Sequence, residues 1–307
     1  MNILITAIGS MSAACAIKQL KTTNTIIGCD IYPEEWHNEP KLCNYFYQAP
    51  YATDEEKYCN FLLELCNKHN IKYIIPLTDL EIDVINKHRN LFDNITICTQ
   101  SYDIINIVRN KYNLYQFFEK DTNIPTLTTW KLLDYKIRYN KIILKPIYGR
   151  SSIDIRINPS FEDLNLINDK YNYIVQQYIE GNVCTIDYCR SSKYKTEVLI
   201  PREELIRTTN GAGLTVKIFN DEKLTNLVSY IGNKLDINGV VNMEFIKNNN
   251  EYYLIDFNPR FSSGIDFSLK MGYDFANNHI NCFTGKPIDP QPIIEEKILV
   301  KHYTIDE

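Results

Sequence analysis

The sequence lacks the features that direct a protein to a membrane or out of the cell. No apolar run in its 307 residues is long enough to span a bilayer, and the first residues, MNILITAIGSMSAACAI, lack the basic segment of a secretory leader. The formal net charge is −5, so no excess of positive charge favours nucleic acid or an anionic membrane as a partner. We therefore expect a cytoplasmic protein that binds neither.

Paired cysteines are also missing. The nine cysteines, an odd number, are scattered without a CxxC motif, and the five histidines are dispersed. Most cysteines stand in apolar contexts such as IIGCDI and TICTQ, which favours small buried hydrophobic side chains over disulfides or zinc ligands. His279 lies in a helix-compatible segment and is expected to be a packed core residue rather than a base. The sequence thus supports neither a zinc site nor a cysteine or histidine nucleophile.

The glycine fingerprint of dinucleotide-binding proteins is absent as well. The chain opens with the apolar run NILITAI, a turn at Gly9 and a helix-compatible segment, and later apolar runs end at Asp30 and near Asp79. This order predicts an open parallel α/β sheet with a Rossmann-like start. Because Gly9 stands alone where GxGxxG requires three glycines, an NAD(P)-dependent oxidoreductase is only weakly supported.

A hairpin pattern near the C terminus carries the strongest chemical signal. The apolar, aromatic-rich segments VNMEFI and YYLIDF are joined by a polar, Asn-rich run. They contain Glu244 and Asp256, and a buried carboxylate is costly unless a cation or hydrogen bonds offset its charge. Strand alternation places Asn258 and Arg260 on the same face as Asp256. This surface suits oxygen-bound Mg²⁺ that carries a phosphate, and the alternative is an ordinary hairpin with a solvated polar face.

Weaker signals lie upstream of the hairpin. Lys145 precedes a Gly/Ser turn that contains Ser151 and Ser152, whose backbone N–H groups and hydroxyls could close over phosphate oxygens. The segment QQYIEG joins two β-rich segments and could expose backbone groups to a flat ligand such as a purine. Arg202 and Arg207 lie beside a glycine turn at 211–213 and could anchor a carboxylate or phosphate. The ordinary alternatives are a β-turn with a surface lysine, a plain hairpin and solvent-facing arginines.

The order of these signals resembles the ATP-grasp superfamily over residues 111–285. A lysine at a helix start, LKP with a Gly/Ser loop, QQYIEG and the NMEF and LIDFNPR strands follow one another as in that family. The biotin carboxylase and carbamoyl phosphate synthetase type, and stand-alone carboxylate-amine ligases, look most similar. The resemblance implies an α/β protein with a Rossmann-like domain at 1–110, a small lid subdomain at 111–180 and a C-terminal subdomain at 181–307. The nucleotide would lie between two antiparallel sheets.

The resemblance also implies ATP and Mg²⁺ as cofactors, with Mn²⁺ as a substitute, and it assigns roles to residues. The implied metal ligands are Glu244, Asp256 and Asn258. Lys111 and Lys145 are implied to contact the ATP phosphates, and Ser151 and Ser152 to belong to the mobile loop over them. The residues implied to border adenine are Gln176, Gln177, Tyr178 and Ile179. The residues implied to act on the transferred phosphoryl group or on the substrate are Lys145, Arg202, Arg207 and Arg260.

The sequence departs from the family pattern at three places. Asp256 stands where the family more often has glutamate, which keeps the oxygen ligands and shortens their reach by one methylene. The phosphate loop has Arg150 and Asp154 where glycine is frequent, so the loop is expected to be stiffer or differently aimed. Val183 occupies the position at which a glutamate often binds the ribose hydroxyls. Glu180 and Asp187 are the candidates to replace it.

The implied activity is a Mg-ATP-dependent ligation. A small carboxylate, such as an amino acid, would be activated as an acyl-phosphate and joined to an amine, and a homodimer would be compatible with this. The alternative is a catalytically inactive ATP-binding regulatory or assembly protein on the same fold. The glycine-poor loop and Val183 favour that alternative modestly, whereas the metal hairpin argues against it.

Overall fold

The computed structural model describes residues 1–136, 139–149 and 152–303. Within these ranges the helices are α1 (Ala13–Leu20), α2 (Glu55–Lys68), α3 (Asp79–Lys87), α4 (Tyr102–Val108), α5 (Lys111–Phe118), α6 (Phe161–Asn165), α7 (Glu222–Lys234), α8 (Ile265–Leu269) and α9 (Phe275–Thr284). The strands are β1 (Asn2–Thr6), β2 (Thr25–Asp30), β3 (Tyr45–Gln48), β4 (Tyr73–Ile75), β5 (Thr96–Ile97), β6 (Thr129–Lys131), β7 (Ile142–Pro146), β8 (Arg156–Ile157), β9 (Tyr173–Gln177), β10 (Asn182–Ser191), β11 (Thr196–Arg207), β12 (Gly213–Ile218), β13 (Gly239–Asn248), β14 (Glu251–Asn258) and β15 (Lys297–Val300).

The first sheet is parallel, with strand order β3-β2-β1-β4-β5. Ile3, Leu4 and Ile5 of its central strand are fully buried, as expected for a strand covered on both faces. A residue of the neighbouring strand holds the turn after β1 in place: the Gly9 amide donates to Oδ2 of Asp30, the last residue of β2, at 2.7 Å. The predicted Rossmann-like start is confirmed.

Two antiparallel sheets follow. A four-stranded sheet has the order β6-β9-β7-β8, and a six-stranded sheet has the order β14-β13-β10-β11-β12-β15. Their strands fall within residues 129–177 and 182–300, in the order that the resemblance implied. Helix α5 precedes the smaller sheet in sequence, yet its Leu114 and Phe118 pack into the core of the larger one. The division of the chain near residues 110 and 180 stays a prediction.

The β13–β14 hairpin is tighter than expected. The polar run 247–251 suggested a five-residue connection, but the strands extend to Asn248 and Glu251. Only Asn249 and Asn250 remain in the turn, with φ of 46° and 65°. Asparagine tolerates this left-handed region better than most residues, and two such residues in a row match the twist of a hairpin.

None of the helices in the three described ranges is long and apolar enough to cross a bilayer. The cysteines are free thiols, of which seven are buried and two are half-buried, so the prediction of small buried hydrophobic side chains is confirmed.

His279 is a packed core residue, as expected. It is 3% exposed; its Nδ1 accepts from the Val240 amide at 2.8 Å, and its Nε2 lies 3.0 Å from the Cys98 carbonyl oxygen. A neutral imidazole with its proton on Nε2 satisfies both contacts. Burial lowers the pKa of His279 from 6.5 to about 4.

This lowered pKa predicts a pH-dependent stability. Above pH 6.5 the imidazole is neutral in both states and contributes no slope. Between pH 6.5 and about 4 the unfolded chain takes up a proton that the folded chain excludes, so the free energy of unfolding falls by about 3 kcal/mol. Urea unfolding across this range should show a shallower slope in His279→Gln. Equal slopes in the two proteins would contradict the prediction.

Candidate functional site

The largest collection of predicted site residues lines one cleft of about 480 Å³. Residues from the turn after β1, from the start of α3, from β7 and from strands β10 to β14 form its walls. The predicted residues that the structure brings together there are Lys111, Lys145, Ser152, Arg202, Arg207, Glu244, Asp256, Asn258 and Arg260. Ser151 lies outside the described residues.

The hairpin places its two carboxylates side by side. Glu244 of β13 is the direct register partner of Asp256 of β14, and Asn258 is paired with Asn242. A β-bulge separates the Glu244 pair from the next one, because Phe245 faces Leu254 and Ile255 is an extra residue. The bulge resets the alternation of the strand, so that both acidic side chains line the cleft.

Both carboxylates are paired with cations of the chain. Lys111 Nζ lies 2.5 Å from Asp256 Oδ1, and Arg207 Nη2 lies 3.1 Å from Glu244 Oε2. Burial alone would raise the pKa of Asp256, but Lys111 holds it below its usual value. Burial raises the pKa of Glu244 despite the opposing effect of Arg207. The two acids therefore differ in their tendency to ionise when the site holds no further cation.

Arg260 is fixed by a residue that the sequence did not single out as functional. Its Nε and Nη2 donate to both oxygens of Asp79 at 3.0 and 2.7 Å, and Nη2 also lies 3.3 Å from Asn258 Oδ1. Burial raises the pKa of Asp79, but Arg260 and Arg109 outweigh this effect and hold it at about 2. The sequence signal for Asp79 was its place at the end of an apolar run, where acidic residues of parallel sheets face ligands.

Lys145 is a buried cation, 7% exposed. Its Nζ donates to Gln176 Oε1 at 3.0 Å, and Gln176 Nε2 donates to Thr129 Oγ1 at 2.9 Å. Burial lowers the pKa of Lys145, and Lys111 lowers it further, to about 8. An anionic ligand beside Lys145 would raise this pKa again and keep the side chain protonated.

The predicted adenine and ribose residues are more dispersed. Gln176 borders a small cavity beside Lys145, whereas Gln177, Tyr178 and Ile179 continue from β9 as half-buried residues. The Glu180 side chain is 70% exposed and pairs with Lys141.

Asp187 and Arg202 form an ion pair with each other. Asp187 is fully buried, and its Oδ2 accepts from Arg202 Nη1 and from Ser268, both at 2.6 Å. Because protein groups contact both carboxylate oxygens of Asp187, Glu180 is the better placed of the two residues predicted to bind the ribose. Arg202 also donates to Glu204 and Ser262, both at 3.1 Å. All three nitrogens of its guanidinium therefore have protein partners, which fix the side chain in the wall of the cleft.

The phosphate-loop residues that the structure describes adopt unusual backbone angles. Ser152 and Asp154 have φ of 56° and 57°, a region that glycine adopts without strain and other residues rarely enter. Ser152 lines the cleft, and a Cβ on Gly211 would lie 3.1 Å from its Oγ. The loop therefore meets the β11–β12 connection across the cleft.

A family model described as the ATP-grasp domain matches residues 108–264, just over half of the chain. The chain belongs to the ATP-grasp family. A second model, described as the PylC-like N-terminal domain, matches residues 3–99 of this ATP-grasp protein. The predicted family is confirmed.

One curated relative of this ATP-grasp chain is the uncharacterised protein MJ0776 of Methanocaldococcus jannaschii, 24% identical over 202 residues. The match covers 64% of the chain and 52% of the relative, so the chain spans about half of that relative's length.

Two solved structures share the fold. The biotin carboxylase domain dimer of Hydrogenobacter thermophilus 2-oxoglutarate carboxylase, with MgADP and bicarbonate, has a TM-score of 0.75 at 16% identity, covering 94% of this chain and 71% of that one. N5-carboxyaminoimidazole synthetase from Staphylococcus aureus, complexed with ADP, has a TM-score of 0.73 at 16% identity, covering 96% and 79%. At such identities the likeness concerns the ATP-grasp fold alone.

The lowered pKa of Lys145 predicts proton uptake when a polyphosphate binds beside it. At pH 9 about nine tenths of Lys145 is neutral in the free protein, so ATP binding should take up close to one proton, against about 0.1 at pH 7. Calorimetry of MgATP binding in buffers of different ionisation enthalpy measures this number. Lys145→Arg keeps its charge at pH 9 and should bind without uptake. Equal uptake in both proteins would assign the proton to another group.

Proposed function

We propose that this ATP-grasp protein is a Mg-ATP-dependent ligase that activates a small carboxylate as an acyl-phosphate and joins it to an amine. The observation that carries this proposal is the register pair of Glu244 and Asp256, which faces Lys111, Lys145 and Arg260 in one cleft. Phosphoryl transfer requires mainly positioning and neutralisation of charge, and this set of side chains supplies both.

The chemistry explains why ATP would be needed. A carboxylate is a poor electrophile because its oxygen is a very poor leaving group, and phosphorylation converts that oxygen into phosphate. No covalent nucleophile of the protein is required. This agrees with the packing of His279, which is 3% exposed and has hydrogen-bond partners at both ring nitrogens.

The donor set fits Mg²⁺ held together with a nucleotide. Glu244, Asp256 and Asn258 offer oxygen atoms, which Mg²⁺ prefers. Among residues 1–136, 139–149 and 152–303, no group of three or more Asp, Glu, His or Cys side chains forms a metal site by itself. Mg²⁺ is commonly bound by one or two carboxylates plus substrate phosphates, so this sparse set suits a phosphate-bridged ion. When bound, the ion would neutralise charge on the transferred phosphoryl group.

The side chains of the protein would divide the remaining work. Lys111 and Lys145 would hold the phosphates, and Arg260, oriented by Asp79, would face the anionic intermediate. Residues 176–179 would border adenine, with Glu180 the better placed candidate for ribose. Ser151 and Ser152 would belong to the loop that covers the phosphates and excludes water. Arg207 would reach the substrate once released from Glu244, whereas Arg202 would act by shaping the wall.

The domains at 1–110, 111–180 and 181–307 and the nucleotide position between the antiparallel sheets belong to the same proposal. It gains support from the two solved structures of the same fold, which are complexes with ADP, one of them a dimer that also binds the magnesium salt of ADP. A carboxylate and an amine would be the substrates, and a homodimer stays a prediction.

An inactive ATP-binding regulatory protein is the second candidate. The left-handed backbone at Ser152 and Asp154 favours it, because a strained loop closes less readily over phosphates. An NAD(P)-dependent oxidoreductase has less support, since Asp30, placed where such enzymes bind ribose, instead accepts from the Gly9 and Tyr32 amides.

The hairpin carboxylates provide the direct test. MgATP should bind the wild type in calorimetry, and a panel of carboxylate and amine pairs should stimulate ADP release. Glu244→Ala combined with Asp256→Ala should lower turnover at least about 10³-fold with the fold retained, because charge stabilisation of the transferred phosphoryl group is lost. Glu251→Ala, on the same hairpin in an exposed ion pair with Lys223, is the control with near-normal turnover. A wild type that binds no MgATP would refute the proposal, and binding without substrate-stimulated ADP release would favour the regulatory protein.

The ion pair between Lys111 and Asp256 predicts that the metal ion and the nucleotide bind cooperatively. Without nucleotide, a metal ion competes with Lys111 for Asp256, so Mn²⁺ should bind weakly and ADP should tighten its binding by about tenfold or more. Electron paramagnetic resonance of free Mn²⁺ measures both affinities. Lys111→Met should strengthen Mn²⁺ binding without nucleotide and weaken ADP binding. Lys217→Met, in an exposed ion pair, is the control. Weaker Mn²⁺ binding in Lys111→Met would contradict this competition.

A further inference from the structure

Two buried oxygens in the wall of the cleft, Thr185 Oγ1 and Glu204 Oε2, have no hydrogen-bond partner among the described residues. Thr185 and the Glu204 side chain are each 3% exposed. A buried polar atom without a partner costs about 1–3 kcal/mol, and native proteins retain few of them. Two such atoms in one ligand cleft indicate that a ligand supplies the missing donor.

The strand register places these oxygens beside the reacting groups. Thr185 of β10 is the register partner of both Arg202 on β11 and Glu244 on β13, and Glu244 in turn pairs with Asp256. A single row of side chains therefore crosses four strands. Glu204 follows Arg202 by two positions, on the same face of β11.

The charges around Arg202 do not balance. Its guanidinium lies between two buried carboxylates, with Asp187 Oδ2 at 2.6 Å and Glu204 Oε1 at 3.1 Å. One positive charge and two negative charges leave a net charge of about −1 in the protein interior, which is costly without a further cation. The neighbouring cation Arg207 is occupied by Glu244 and by the Gly211 carbonyl oxygen.

We propose that Glu204 and Thr185 form a subsite for a protonated amino group of the substrate. The inference rests on the proposed function and names its substrate class: an amino acid whose ammonium group is recognised rather than consumed. A protonated amine held by a carboxylate has no free electron pair, so this group is not the nucleophile. The reacting carboxyl or amine belongs to another part of the ligand pair.

The geometry favours an ammonium over other cations. Glu204 Oε1 is already engaged by Arg202, so only Oε2 remains, and the two-pronged contact of a guanidinium has no second carboxylate oxygen. An ammonium is a compact donor of three hydrogen bonds and can satisfy one carboxylate oxygen and one hydroxyl together. A divalent metal requires more oxygen ligands than these two side chains provide.

Matched ligands provide the test. Binding of L- and D-amino acids is compared with that of their des-amino carboxylates, such as alanine with propionate and phenylalanine with 3-phenylpropionate. Calorimetry is carried out with Mg²⁺ and a non-hydrolysable ATP analogue. We expect at least one amino acid to bind on the order of 30-fold more tightly than its des-amino partner, the size of effect typical of a buried charged hydrogen bond.

Three variants separate recognition from folding. Glu204→Gln should remove most of the preference for the amino group, and Thr185→Val should reduce it by about fivefold. Thr185→Val removes an unpartnered hydroxyl at nearly equal volume, and Glu204→Gln keeps an oxygen that accepts from Arg202 while it removes the unbalanced negative charge, so the melting temperature should stay close to that of the wild type. Glu203→Gln is the matched control, because this neighbouring side chain accepts from Asn182 at 2.8 Å in an exposed position. It should bind all ligands as the wild type does, and binding of the ATP analogue should be unchanged in the three variants.

The outcomes distinguish the two proposals. Binding of the ATP analogue without any preference for an amino group overturns the subsite and leaves the proposed function standing. A preference that survives both Glu204→Gln and Thr185→Val also overturns the subsite. If the analogue does not bind, the proposed function fails. The subsite is then judged on the nucleotide-free protein, where the amino acid should protect the wild type but not Glu204→Gln from thermal unfolding, and equal protection overturns it.

Discussion

The neutralisation of acidic side chains in the cleft by cations from distant parts of the chain is the constraint on which this site depends. Asp256 is paired with Lys111, Glu244 with Arg207 and Asp79 with Arg260. Each pair joins different elements of the fold, so the charges hold the walls of the cleft at their mutual distances. Buried ion pairs stabilise a fold weakly because desolvation offsets their attraction. Their value here lies in assembling opposite charges around a space that an anionic ligand and a metal can enter.

The fold was predictable because its signals are local. Apolar runs ending in Asp30 and Asp79 indicated the parallel sheet, and the paired aromatic-rich segments around Glu244 and Asp256 indicated the hairpin. The order of lysine, loop and hairpin along the chain was sufficient to suggest the family. Such patterns survive in a single sequence because hydrophobic periodicity and turn residues act over a few positions.

The contacts within the site were not predictable, because they join residues that lie far apart in the sequence. Arg260 and Asp79 are 181 residues apart, and no local pattern connects them. The extra residue Ile255 resets the alternation of β14, an effect that simple strand periodicity misses. Arg202 was predicted to anchor the substrate because a glycine turn lies beside it, whereas the fold surrounds it with Asp187 and Glu204. Sequence reasoning selected the candidate residues and could not assign which of them neutralise one another.

The hydrophobic cores divide the molecule differently from its sheets. Ile3 and Ile5 of the first sheet share one core with Val240 and Phe261 of the C-terminal part, while the four-stranded sheet has a separate small core that includes Leu144 and Val175. The His279 contact with Cys98 further joins the first sheet to the hairpin region. Cutting the chain near residue 110 would therefore split a common interior rather than release a module. The four-stranded sheet, by contrast, has a core of its own, so its internal packing does not depend on that shared interior.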